Sequence, residues 1–218
     1  MKNWSSIALA AVGMSAVVTV GAGCEKSAHL PEEARRVVSL TPPPSINDNV
    51  HKASRLAVKR ATDADSAKIA AAPKKTTIEE LLKAVRPDDL SADISTEAYQ
   101  NKRIGPLETT NWQLDALVSE VIKRPDGDFY LVIEDGKGNK SVVEVPDPKL
   151  CAGSHKLAEI TAARNALESK FHPTEQPQKV KVKARITGLG FFGFARAKDG
   201  KKPGNGARIM PGLKVEWL

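Results

Sequence analysis

Residues 179–192 read KVKVKARITGLGFF. Val180, Val182, Ala184 and Ile186 fall on one side of an extended chain, and Lys179, Lys181, Lys183 and Arg185 fall on the other. Alternation with a period of two predicts a half-buried strand with a basic outer face, and the glycines at its end predict a bend.

Working outward, the same reading extends to most of the C-terminal half. Leu213, Val215 and Trp217 alternate in a strand over 213–217. The intervening residues 193–212 read as a loop. On the N-terminal side, Leu157, Ile160, Ala163, Leu167 and Phe171 mark one stripe of a helix over 155–171, with Ser154 as its N-cap and Pro173 closing it. Before it come three strand patterns. Trp112, Leu114, Ala116 and Val118 alternate in the first, which runs on to Ile122 and a turn at Pro125, Asp126 and Gly127. The second covers 128–135 and turns at 136–139; the third covers 141–145 and stops at Pro146.

Farther upstream the patterns thin out. Thr77 and Glu80 form a capping-box pair ahead of Leu81, Leu82 and Val85, and Pro87 ends the run, which predicts a short amphipathic helix over 76–86. Residues 88–110 are polar and carry no period. Residues 24–75 are rich in Ala, Pro and charges of both signs, a composition that cannot offset its ordering entropy and so predicts a disordered tether. Residues 1–23 have a positive start at Lys2 and an apolar run over 7–20, the pattern of a signal peptide. The division expected is therefore signal peptide 1–23, tether 24–75, helix and linker 76–108, and a folded domain 109–218.

The 218 residues carry a net charge of +7, unevenly distributed. Residues 102–178 hold 10 basic and 12 acidic side chains, whereas 179–214 hold 10 basic side chains against Asp199 alone. Such a gradient argues for an anionic partner met by the last part of the chain. Two cysteines, Cys24 and Cys151, exclude a disulfide framework of the small secreted kind.

Three strands, a helix and two more strands follow the order of the OB-fold, a mainly β architecture with one helix in which five strands form a Greek-key barrel. The resemblance covers 109–218. WQLDALV at 112, DGDFYLVIED at 126, VVEVPDPKLC at 142, Ala163 with Arg164, and VKARITGLGFF at 182 resemble a group of uncharacterised bacterial exported proteins. In that group a His-Gly segment often follows the last motif; here FARAKDGKKPG stands in its place, while Asn205 and Gly206 match the group's Asn-Gly pair. GAGC at 21–24 resembles a lipobox, although Gly21 occupies a position where leucine is preferred. The resemblance implies acylation of Cys24 and a membrane-anchored protein of the cell envelope. Cleavage without acylation would instead leave a periplasmic or secreted chain with Cys24 able to pair with Cys151.

OB-folds bind ligands across their second and third strands, between the first and the last connecting loops. That geometry, with the basic strand, makes Lys181, Lys183, Arg185, Phe194, Arg196, Lys198, Lys201, Lys202 and Arg208 the candidate ligand-binding residues. Basic residues among aromatics suit single-stranded nucleic acid, but the export signal argues against it and favours an anionic polymer, a glycan or a membrane surface. An envelope protein held by the helix at 77–85 is the alternative. A nuclease-like hydrolase comes third. Asp126, Asp128, Glu134, Asp135 and Glu144 supply carboxylates and Arg164 and Arg185 guanidinium groups, yet alternation spreads the strand carboxylates over both faces. No catalytic constellation, cofactor or metal site is expected. His155 and His172 bracket the helix about 25 Å apart at 1.5 Å per residue, too far to share an ion.

Overall fold

A computed structural model describes residues 55–195 and 204–218. The expected signal peptide, Cys24 and most of the expected tether lie outside the described residues, as do Arg196, Lys198, Lys201 and Lys202. The chain is mainly β. Its strands are β1 (Lys74–Lys75), β2 (Asn111–Lys123), β3 (Phe129–Glu134), β4 (Lys140–Val145), β5 (Gln178–Phe192) and β6 (Ala207–Trp217), joined by helices α1 (Leu56–Lys59), α2 (Ile78–Leu82) and α3 (Leu157–Phe171).

One six-stranded sheet has the order β1-β2-β3-β4-β6-β5, and β5 also pairs with β2. The last five strands therefore form a closed circuit of pairings. Within it β4 and β6 run parallel, meeting at Val143 and Ile209, and the other neighbours are antiparallel. Closing the circuit falls to β2, which pairs with β5 from Asn111 and with β3 from Leu117, its register shifting between Val118 and Glu120 in both pairings. A bulge at that point bends the strand so that one element serves two neighbours.

The basic strand behaves as its alternation requires. Lys179, Lys181 and Lys183 are exposed, and from Ala184 onward every residue of β5 except Arg185 is buried. Gly188 is needed there because a Cβ would overlap Ile209 and the Pro211 carbonyl of β6. Alternate residues of β2, β3 and β4 face inward, and α3 packs Ile160, Ala163 and Leu167 into the same interior.

Several expectations change. The helix begins at Leu157, not 155: residues 155–156 form a turn in which the Ser154 hydroxyl accepts from the Lys156 amide while donating to the Ala61 carbonyl. Leu157 is consequently exposed. Strand β6 starts at Ala207, six residues before the expected start, so Arg208 sits on a strand and the loop is shorter than 193–212. Trp217 lies half-buried at the rim, edge-on to Phe171 at 5.2 Å between ring centres.

The largest change concerns residues 55–75, which composition assigns to the tether. They pack on the sheet. Val58, Ala61 and Ile69 are buried, and two ion pairs with both side chains at 0% exposure fasten the segment. Arg55 donates to both oxygens of Glu108 at 2.7 and 2.6 Å and to the carbonyls of Tyr99 and Lys102. Arg103 donates to both oxygens of Asp63 at 3.0 and 2.7 Å and to the carbonyls of Val58 and Glu108. Glu108 also accepts from the amides of Ile104 and Phe192. Buried charges are tolerated when paired and hydrogen-bonded, and in both pairs the guanidinium makes four hydrogen bonds, two of them to its carboxylate. The 88–110 segment, without a period in sequence, supplies Leu90, Ile94, Ile104 and Leu107 to the interior.

Candidate functional site

A cavity of about 450 Å³ opens where the β2–β3 turn, the faces of β3 and β4 and the ends of β5 and β6 meet α1. Arg124 and Asp126 come from the turn, Tyr130 from β3 and Glu144 from β4. Tyr130 and Glu144 are direct cross-strand partners, so the pleat sends both side chains to one face. Lys59 enters from α1 and Ile94 from the loop before β2. Phe191, Gly193, Phe194, Gly204, Gly206 and Arg208 complete the lining.

The upper rim is held firmly on both sides. The Gly193 amide donates to the Gly206 carbonyl, and the Arg86 guanidinium donates to the carbonyls of Gly193 at 2.8 Å and Asn205 at 3.1 Å. Asn205 in turn donates to the carbonyls of Leu81 and Ala84, tying the rim to α2. At Gly193 the Arg208 guanidinium lies where a Cβ would be, so a side chain there would displace it. That packing directs Arg208 toward Glu144, to whose Oε1 it donates at 2.6 Å, both side chains being about 15% exposed.

Lys59 is the unusual cation. Among the described residues no carboxylate lies within ion-pair distance of its ammonium, which instead stands 5.9 Å from the Phe191 ring centre and 5.8 Å from that of Phe194. Burial pushes its affinity for the proton below the ordinary lysine value, and the charge of Glu144 only partly offsets this. Arg124 lies over the Tyr130 ring at 5.5 Å. Beneath the turn, Asp128 is 8% exposed and accepts from the Asp147 amide at 2.9 Å; burial, with Asp126 and Glu144 nearby, pushes its carboxyl up to about 6.

No family model matches this chain, and a comparison with curated proteins found no match. What the cleft can hold follows from its own chemistry.

Of the candidate ligand-binding residues, Phe194 and Arg208 line the cavity. Lys181, Lys183 and Arg185 do not. They lie on the other half of β5, about 20–30 Å along the strand from Phe191 at 3.3 Å per residue. Arg185 is also engaged, donating to both oxygens of Asp115 at 2.8 and 2.9 Å, an exposed pair that holds the Asp115 carboxyl below its ordinary value. Lys59, Arg124 and Tyr130 were not candidates by sequence. Lys59 sits in tether-like composition, and the only signal for the other two is their position: Arg124 beside the turn, Tyr130 at an outward step of the β3 alternation.

Asp126, Asp128 and Glu144 do gather near the turn, but Glu134 pairs with Lys140 and Asp135 bonds within its own turn to Asn139. Among the described residues no group of three or more His, Cys, Asp or Glu side chains is arranged to hold a metal ion. Cys151 is a buried free thiol whose proton affinity is pushed up to about 11, first by burial and then by the charge of Asp128. Of the apolar residues expected on a helix over 76–86, Leu81 is 2% exposed and Leu82 is half-buried, whereas the helix stops at Leu82 and Val85 beyond it is 87% exposed. Among the described residues no helix is long and apolar enough to cross a membrane.

Proposed function

We propose that the chain is an exported binding module, lipid-anchored at Cys24 in the cell envelope, whose sheet is an OB-fold-like barrel that holds an anionic ligand in the cleft between the β2–β3 turn and the β5–β6 rim. The lipobox-like GAGC supports the anchor, and the export-type leader supports the envelope. The strand circuit, its single parallel pair and the helix between β4 and β5 agree with OB topology. In that architecture ligands lie across the face to which β3 and β4 correspond, where the cavity lies.

The observation that carries the reading is Lys59. A half-buried ammonium with no carboxylate partner among the described residues, in a cavity that also exposes Arg124, regains favourable interactions when an anion arrives. An acidic glycan, a phosphate-bearing wall polymer and an anionic lipid headgroup all offer such a group.

The test is a titration of the protein with heparin, polyphosphate and phosphatidylglycerol vesicles at two salt concentrations. Binding to at least one should weaken as salt screens the cleft, and Lys59→Gln and Arg124→Gln should each weaken it roughly tenfold, the size of one charge-assisted contact. Binding unaffected by both substitutions, or lost only with Lys181→Gln and Lys183→Gln, would move the site to the outer face of β5.

A further inference from the structure

We infer that the cleft recognises a sugar ring bearing a single carboxylate, a hexuronate unit of an acidic glycan; this rests on the anionic-ligand reading above and specifies the ligand's chemistry. The first argument is charge. Among the described residues five charged side chains line the cavity, three cations and two carboxylates. Arg208 is committed to Glu144 at 2.6 Å, which leaves Lys59 and Arg124 against Asp126. One negative charge balances that sum. A dianionic phosphate would bring a second charge against Asp126 and Glu144, where like charges repel.

The second argument is hydrogen-bonding capacity. An ionised carboxylate accepts hydrogen bonds and donates none, so Asp126 and Glu144 can meet a ligand only through its donors. Arg208 engages Oε1 of Glu144, leaving Oε2 to accept a hydroxyl. A ligand with one carboxylate for Lys59 and Arg124 and several hydroxyls for the two acids satisfies both sets at once. Inorganic anions and acyl carboxylates lack the hydroxyls, and neutral sugars lack the charge.

The third is shape. Tyr130 and Phe194 line this cavity as half-buried rings that also carry Arg124 and Lys59 at 5.5 and 5.8 Å, and such rings are the kind of flat apolar surface against which the C–H face of a sugar lies. A cavity of about 450 Å³ falls in the range that takes one small ligand, about 300–1,000 Å³. The groups that would touch the sugar also come from separate elements fixed to one sheet, so the constellation is largely formed before the ligand arrives.

The deciding experiment is ligand-observed saturation-transfer NMR on the full chain in mild detergent, with glucuronate, glucose, glucose 6-phosphate and a heparin-type oligosaccharide as probes. Glucuronate is expected to bind at least tenfold tighter than glucose and glucose 6-phosphate, and to lose at least tenfold in Lys59→Gln and in Arg124→Gln. Arg124 is exposed on a turn, so its variant folds and keeps the test valid if Lys59→Gln does not. Lys181→Gln should leave glucuronate binding unchanged. Glucose 6-phosphate matching or exceeding glucuronate, or glucose equalling it, overturns the inference and leaves the anionic-ligand reading standing. Binding of the oligosaccharide without binding of glucuronate does the same. Silence from all four probes overturns the inference, and with polyphosphate and vesicles also silent the broader reading falls with it.

Discussion

Asp128 illustrates how a single carboxyl couples the cleft to pH. In an unfolded chain it titrates near its ordinary value of 3.8, and in the fold it is pushed up to about 6 by burial and by Asp126 and Glu144, with Arg60 opposing. The folded state therefore holds the proton more tightly. Stability contributed by this group is present below about pH 4 and is lost as pH rises through about 6, a difference of up to about 3 kcal/mol. Asp128→Asn keeps an acceptor for the Asp147 amide but cannot ionise. Its stability relative to the parent should rise between pH 4 and 6.5 in urea unfolding curves, and parallel curves across that range would sink the assignment. Nothing in the sequence marks this residue apart from Asp126, two positions away in the same turn. What separates them is that Asp128 faces the Asp147 backbone under the turn while Asp126 stays exposed.

Among the elements, those with a period were legible and those without one were not. Helix α2 begins as its capping box requires: Thr77 accepts from the Glu80 amide at 3.1 Å and the Glu80 carboxylate accepts from the Thr77 amide at 3.0 Å. Replacing Thr77 with alanine should cost about 1 kcal/mol in urea unfolding, and a change below the error of that measurement would mean that Ile78 and Leu81 alone hold the helix. Strands β2 to β5 could be read from alternation because one face of each is buried, and α3 from its stripe of Ile160, Ala163 and Leu167. The start of β6 could not. ARIMPG contains a proline and a glycine that read as loop, yet Ala207, Ile209 and Met210 are buried between β4 and β5. Half of the cleft was hidden for the same reason, since Lys59 and Arg124 belong to segments whose composition resembles solvated linker.

At the scale of the whole molecule, the folded unit reaches farther upstream than its strands. Arg55 and Asp63 are ordinary surface types by composition, and no spacing rule links them to Glu108 and Arg103, which lie 53 and 40 residues away. A chain beginning at residue 76 would leave Arg103 and Glu108 without the opposite charges that pair with them. Each unpaired buried charge costs about 3–5 kcal/mol, against a total stability of about 5–15 kcal/mol for a domain. Chains beginning at residue 76 or 109 should therefore lack a cooperative melt and dispersed amide signals, whereas one beginning at residue 52 should have both. A folded 109–218 fragment would show that the pairs are ornament.

The Glu108 carboxylate also sets an order of events. Its shell is completed by the Phe192 amide, 84 residues downstream, so the Arg55 pair cannot be fully dried until β5 has arrived. A chain emerging N-terminus first would carry Arg55 through synthesis or export uncommitted and lock it late. Contacts made after the rate-limiting step govern how slowly a protein comes apart more than how quickly it forms. Arg55→Met should accordingly accelerate unfolding in stopped-flow chevrons and leave the refolding arm nearly unchanged; a slowed refolding arm would mean the pair forms early. With that outcome Arg55 would be the latch of this domain, closed last and setting the lifetime of the folded state.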